Sequence, residues 1–297
     1  MSVNIPTHYV QQYSTNLDFL LQQKGSKLRG LVSSGSHVGK AASPVDQIGK
    51  VEMQAVTSRF SPMGRVDAPT DRRWVYPSDF DLPQLLDSFD ELRLITDPKS
   101  KYSQNAAMAA GRKMDTIILT AALGTAKTGE AGGTSTTFTS GNEVDVAVGG
   151  ANSKLNVAKL RECRRLMMAN HVDLDMETPI LPITAADHDA LLGEIQVVSR
   201  DFNGGAPVLQ NGRISEFMGF RFVHCELVET VCAGTNEVTI PVWVPSGMYL
   251  GMWNDFTANV SQRNDLQGEP WQLYTKMTVG ATRLEENRVY AIESYRS

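Results

Sequence analysis

The sequence predicts an α+β protein. Three runs of helical periodicity lie before residue 170, and strand-like alternation dominates after residue 212. Nowhere do strands and helices alternate regularly, as a parallel sheet with crossover helices requires. No internal repeat is present.

The elements follow in chain order. Tyr9, Tyr13, Leu17 and Leu21 recur at four-residue steps with Val10 and Leu20 beside them, one apolar stripe of a helix that opens near Pro6 and stops near Gly25. Such a helix lies either on its own domain or as an arm on a neighbouring subunit. From Lys27 to Pro77 the chain is rich in Gly, Ser and Pro. "KVEMQAV" sets Val51, Met53 and Ala55 against Lys50, Glu52 and Gln54, and "RRWVYP" places Trp74 and Tyr76 on one face; both read as strands. This ribbon has few core residues, and a lone two-stranded ribbon is marginal in water, so it must pack on something else. "SDFDLPQLLDSFDELRLI" reads as short helix and turn.

After Pro98 a long helix is predicted from Ser100 to Gly124, with Ala107, Ala110, Met114, Ile117 and Ala121 on one face. Residues 125–152 read as a flexible Gly/Thr/Ser insertion with a short strand at Val144 to Val148. A second helix runs from about Lys154 to Ala169, with Val157, Leu160, Cys163 and Met167 inward and Lys154, Arg161 and Arg165 outward. "TPILPITAADHDALLGE" reads as a strand entering a helix, with Thr184 and Asp187 at capping-box spacing. Strands fill the remainder.

Composition bounds the function. At 297 residues with 41% hydrophobic and 21% charged content, the chain is globular, of one or two domains. A net charge of −5 argues against a protein whose main task is gripping a nucleic-acid backbone. Cys163, Cys225 and Cys232 form no CxxC pair, which favours a reducing compartment over a disulfide framework. No apolar run is long enough for a membrane span, and the first residues lack the basic start and apolar centre of a secretory signal.

Catalytic signals are absent. "SSGSHVGKAA" nearly spells a phosphate-binding loop, but only three residues separate Gly35 from Gly39, and Ala41 follows Lys40 where a hydroxyl should hold magnesium. Its glycines read instead as a soft turn near the ribbon tip. "GTAKTGE" has the right glycine spacing but Glu130 in place of the lysine. His224, Cys225 and Cys232 lack zinc-site spacing, and the carboxylates of Asp187 and Asp189 suit a helix dipole. No cofactor or metal is expected.

The order of elements resembles that of the major capsid proteins of tailed double-stranded DNA bacteriophages, with the HK97-type fold. "DELRLITDPKSKYSQNAAMAAGRKMDTIILTAALGTA" is similar to the spine-helix segment of that family, on Asp97, Pro98, Tyr102, Arg112 and Asp115. "TPILPITAADHDALL" resembles the step that opens the axial domain, and "GRISEFMGFRFVHCELV", around Gly212, Gly219 and Phe220, resembles its strand pair. "TVGATRLEENRVYAIES" resembles the closing strands. Two features depart from the pattern: the 125–152 insertion has no clear place in the minimal fold, and no long scaffolding segment precedes the arm.

The resemblance implies an N-terminal arm (1–26), an extended loop (27–76), a peripheral domain (77–180 and 255–297) and an axial domain (181–254). It implies a non-enzymatic subunit assembling into hexamers and pentamers of an icosahedral shell, which encloses double-stranded DNA without sequence-specific binding. The place is the virion, assembled in the host bacterial cytoplasm without a membrane, with scaffolding, portal and decoration proteins as further partners. Tyr9, Tyr13, Leu17, Lys40, Val51, Met53, Trp74 and Tyr76 are the inter-subunit contact candidates. Some relatives cross-link a ribbon lysine to a partner asparagine; here Lys40 and Lys50 would meet Asn254 or Asn259. The alternatives are an encapsulin-type shell around enzyme cargo, a nucleotide-binding enzyme using the Gly35–Lys40 loop, and a tail or decoration protein.

Overall fold

The computed structural model describes residues 21–42, 45–56, 58–59, 64–86, 99–198, 209–210 and 212–296. The arm helix predicted over residues 7–23 falls almost wholly outside them, as does the helix-and-turn reading of 87–95. By internal contacts the chain divides into two units: residues 1–26, 78–113 and 254–278 form one, and residues 27–77, 114–253 and 279–297 the other.

The strands in chain order are β1 (Ser33–Ser36), β2 (Asp46–Ile48), β3 (Thr70–Trp74), β4 (Ser78–Leu86), β5 (Ala126–Thr128), β6 (Thr134–Thr136), β7 (Glu143–Val144) and β8 (Ile180–Ile183). They continue with β9 (Leu209–Gln210), β10 (Arg213–Ile214), β11 (Glu216–Phe217), β12 (Phe220–His224), β13 (Glu237–Trp243), β14 (Met248–Gln262), β15 (Trp271–Arg283) and β16 (Val289–Tyr295). The helices are α1 (Lys99–Leu123), α2 (Val157–Ala169), α3 (Ala185–Leu192), α4 (Ile195–Val198) and α5 (Leu227–Val231).

The core of the larger unit is a mixed six-stranded sheet in the order β11-β12-β8-β13-β16-β7. β13 and β16 run antiparallel from Glu237 opposite Tyr295 to Trp243 opposite Val289, and β8 lies parallel to β12. Ile240, Val242, Trp243, Tyr290 and Ile292 are fully buried, together with Leu160, Cys163 and Met167 of α2. Buried on both faces, these central strands read as near-continuous apolar runs. α2 begins where Asn156 accepts from Lys159 N, and α3 opens with the predicted capping box of Thr184 and Asp187.

The predicted long helix is present as α1; the second helix starts at Val157, not at Lys154, and Arg161 and Arg165 on its predicted outer face are exposed, as is Lys154 before it. Several other expectations need correction. Lys50–Val56 is not a strand: it has no pairing partner among the described residues, and Met53 and Val56 are 103% and 86% exposed. Alternation produces a strand only where a sheet edge receives it. Ser78–Leu86 is a strand, β4, not helix and turn. Phe80, Leu82 and Gln84 alternate inward, and Pro83 is tolerated because β4 is the outermost strand of the sheet β1-β14-β15-β4, where an N–H is dispensable.

The segment 125–152 is not a structureless excursion. β5 and β6 pair antiparallel and extend the sheet β2-β3-β5-β6, while β7 joins the edge of the core sheet beside β16. "SSGSHVGKAA" is not a turn at a ribbon tip either. Ser33–Ser36 forms β1, parallel to β14 with Gly35 opposite Gly251. A Cβ on Gly35 would lie 2.0 Å from the Tyr249 hydroxyl, so a larger residue there would displace that ring, whereas Gly39, with φ +102°, turns the chain away. The region 27–76 also reaches the core, where Leu28 and Val32 are buried and Trp243 Nε1 donates to Leu31 O at 3.1 Å.

Candidate inter-subunit surfaces

The N-terminal segment is tied to α1 by three neighbouring residues of the helix. Gly111 lies where the chain crosses it: a Cβ there would sit 2.4 Å from Gly25 C and Ser26 N. Gly25 itself has φ +76°, a turn that a Cβ would oppose. Next to the crossing, Arg112 Nη1 donates to Gln22 Oε1 at 2.7 Å and to Gln23 O at 3.2 Å. One turn on, the buried Asp115 carboxylate accepts from Lys27 N at 2.9 Å and Leu28 N at 3.1 Å. A buried carboxylate must be satisfied by donors, and backbone N–H groups serve without mobile side chains. These contacts fix the route by which the chain approaches Leu21, whose side chain is fully exposed.

The base of the ribbon is held by its own unit. β2 pairs with β3, β3 with β5, and Arg72 forks onto Asp46 at 2.6 and 3.0 Å. Behind β3, the buried Arg73 and Arg283 share the Glu286 carboxylate. Arg283 also donates to Ala122 O and Gly124 O at 2.9 and 2.8 Å, which satisfies carbonyls at the end of α1. Burial pushes the Arg283 guanidinium pKa down, with Glu286 opposing the shift.

Beyond that base the ribbon's apolar side chains are uncovered among the described residues. Ile48, Val51, Met53 and Val56 are 76%, 53%, 103% and 86% exposed, and Lys40 and Val38 are exposed as well. Lys50 pairs with Glu52 at 3.0 Å, but both are open to solvent and such a pair adds little.

The predicted contact residues therefore separate into groups. Tyr9, Tyr13 and Leu17 lie outside the described residues. Lys40, Val51 and Met53 are exposed on the ribbon and are not brought together with the aromatic pair. Trp74 and Tyr76 do meet, over Gly132, where an added Cβ would lie 2.4 Å from the Tyr76 hydroxyl and 3.1 Å from the Trp74 ring. Trp74 does not wait for a partner: Nε1 donates to Gly129 O at 2.8 Å, so the turn between β5 and β6 half-covers it. Tyr76 keeps 45% exposure. Of the cross-link candidates, Asn254 accepts from Thr257 Oγ1 at 2.8 Å and Asn259 is exposed.

Sequence reasoning missed the buried charges. Asp187 is more than a helix-dipole partner: it is fully buried and accepts from Thr184, Ser294 and Arg296, the last at 2.8 Å from two guanidinium nitrogens. Lys159 is also fully buried, donating to Ser153 O at 2.6 Å and Glu293 O at 2.7 Å, and burial lowers its pKa to about 8. Its place on the inward stripe of α2, beside Leu160 and Cys163, was the available signal. Burial raises the pKa of all three thiols, that of Cys232 to about 12. Among the described residues no His, Cys, Asp or Glu cluster could hold a metal, and no helix is long and apolar enough to cross a membrane.

Comparison with known proteins agrees with this architecture. A family model described as phage capsid protein matches residues 5–295. Among solved structures, the capsid of the cyanophage P-SCSP1u superposes with a TM-score of 0.75 at 14% identity, covering 97% of this chain and 94% of that one. The cyanophage Pam1 capsid gives 0.73 at 10% identity, covering 98% of each chain, and the capsid of Ralstonia phage GP4 gives 0.70 at 10%, covering 100% and 98%. At these identities the likeness is one of fold, the HK97-like shell fold. No curated protein sequence matches.

Proposed function

The chain belongs to the phage capsid protein family, and from that premise we propose that it is the repeating shell subunit of an icosahedral capsid whose ribbon is completed by a neighbouring copy. The observation that carries the reading is the ribbon itself: Ile48, at the end of β2, and Val51, Met53 and Val56 beyond it stand exposed, and past Ile48 the segment up to Val56 joins no sheet among the described residues. Repeated around a closed symmetry, such a contact covers every exposed edge and sums many weak interfaces into a stable shell.

The assembly units are hexamers and pentamers, with residues 181–254 as the axial tile, 77–180 and 255–297 as the peripheral tile, and the arm resting on an adjacent copy. The subunit has no catalytic role. Double-stranded DNA is enclosed without sequence readout, for which a net charge of −5 is suited because strong attraction to the lining would impede filling and release. Assembly takes place in the bacterial cytoplasm, with scaffolding, portal and decoration proteins as partners.

The test is Val51→Asp with Met53→Asp. Both side chains are exposed in the single subunit, so the variant folds with unchanged circular dichroism. Sedimentation should then show subunits or small oligomers in place of shells. Normal shells from this variant would remove the ribbon contact from the account.

A further inference from the structure

We propose that the concavity formed by Lys27, His188, Arg213 and His224 binds a phosphate-bearing anion. The cavity has a volume of about 560 Å³ and lies wholly within the larger unit. Every ionisable side chain lining it, among the described residues, is basic: an ammonium, a guanidinium and two imidazoles. Its walls are otherwise apolar, with Ile183 and Phe222 prominent. A cleft lined by one sign of charge with low-dielectric walls concentrates its field and draws in counter-charge.

The donors are directed and only partly used. Lys27 Nζ gives one hydrogen to His224 O at 2.7 Å, which fixes the ammonium at the rim and leaves two more to give. Its own backbone N–H is held by Asp115, so the residue as a whole is anchored. His188 Nε2 accepts from Ile214 N at 3.4 Å, which leaves Nδ1 as the proton-bearing nitrogen of that ring. His224 Nε2 lies 2.7 Å from Glu226 Oε1, and that oxygen is itself engaged by Ala185 N at 2.7 Å. Neither Lys27 nor Arg213 has an ion-pair partner among the described residues. Two cations without an ion-pair partner among the described residues, and a donor imidazole, around one hollow match the several oxygens of a phosphate group. Free phosphate and the phosphates of a nucleic-acid strand share this chemistry.

The experiment follows the His188 and His224 ring signals of the full chain by NMR during titration with inorganic phosphate, with chloride at equal ionic strength as control. Both rings should move saturably with phosphate and not with chloride. Arg213→Gln, on an exposed position, should weaken the effect about tenfold, the loss of one hydrogen bond to a charged group, and Lys27→Gln should do the same. A second arm with oligothymidylate assigns the source. Saturation at lower phosphate equivalents than the free ion indicates a strand, and a response to inorganic phosphate alone indicates the free anion. Equal shifts in chloride and phosphate, or unchanged affinity in both variants, would overturn the proposal. Shell assembly does not enter the readout, so failure here leaves the shell function standing.

Discussion

Replacing Gly111 by alanine sets two physical effects against each other. In an open helix the change is stabilising by about 1 kcal/mol, because alanine has the higher helix propensity. At this position the new Cβ would lie 2.4 Å from Gly25 C and Ser26 N and 2.7 Å from Gly25 Cα. These are backbone atoms, so no side-chain rotation relieves the overlap; the crossing segment must move off α1. Overpacking of that kind costs typically 1–3 kcal/mol. The move also strains the Arg112 bonds to Gln22 and Gln23 on one side and the Asp115 bonds to Lys27 and Leu28 on the other. Each hydrogen bond to a charged group adds about 1.5–3 kcal/mol if it is lost. The sum outweighs the propensity gain, and the expected net loss is about 2 kcal/mol or more. The assay is denaturant unfolding of the unassembled subunit, with limited proteolysis at Lys24, Lys27 and Arg29 to report release of the segment. A Gly111→Ala subunit that is as stable as the parent, or more so, with unchanged cleavage, would show that the chain does not cross the helix there.

Other consequences can be checked alongside it. Asp187→Asn removes the charge that holds Arg296 in a buried setting and should cost about 3–5 kcal/mol, read as a lowered unfolding midpoint. Met218→Asn relieves about 0.5–1 kcal/mol of backbone strain, because Met218 and Gly219 both have positive φ in a two-residue hairpin loop that favours Asn-Gly, but it gives up the packing of the half-buried Met218 on the core, so the unfolding midpoint should not rise. Lys159 has a folded pKa lowered to about 8 from 10.5, so below that value the buried ammonium opposes folding. Between about 8 and 10.5 the unfolded chain binds more protons, so stability gains an upward slope with pH there. Lys159→Met should remove this slope in unfolding curves taken at intervals across that range.

What the sequence made legible was local and periodic. α1, α2, β8 with its capped helix and the closing strands declare themselves through apolar stripes, a Thr184–Asp187 box and alternating runs. What it hid depends on partners distant in the chain. Phe80 and Leu82 look like the start of a helix until β15 stands beside them as their sheet neighbour, and Lys50–Val56 looks like a strand although no edge receives it. The burial of Asp115, Lys159, Asp187 and Arg283 leaves no local pattern, because their partners include backbone atoms and side chains far away in sequence. Val51 and Met53 are apolar and exposed, as a ribbon without a core implies, while Trp74 is half-covered by the β5–β6 turn.

The most direct test of the central claim is a cryo-electron microscopy reconstruction of the particles formed by the purified chain. The account predicts a closed icosahedral shell of pentamers and hexamers in which Ile48, Val51, Met53 and Val56 lie buried against an adjacent subunit. A chain that stays monomeric under all assembly conditions, or a shell in which those four side chains still face solvent, would contradict it.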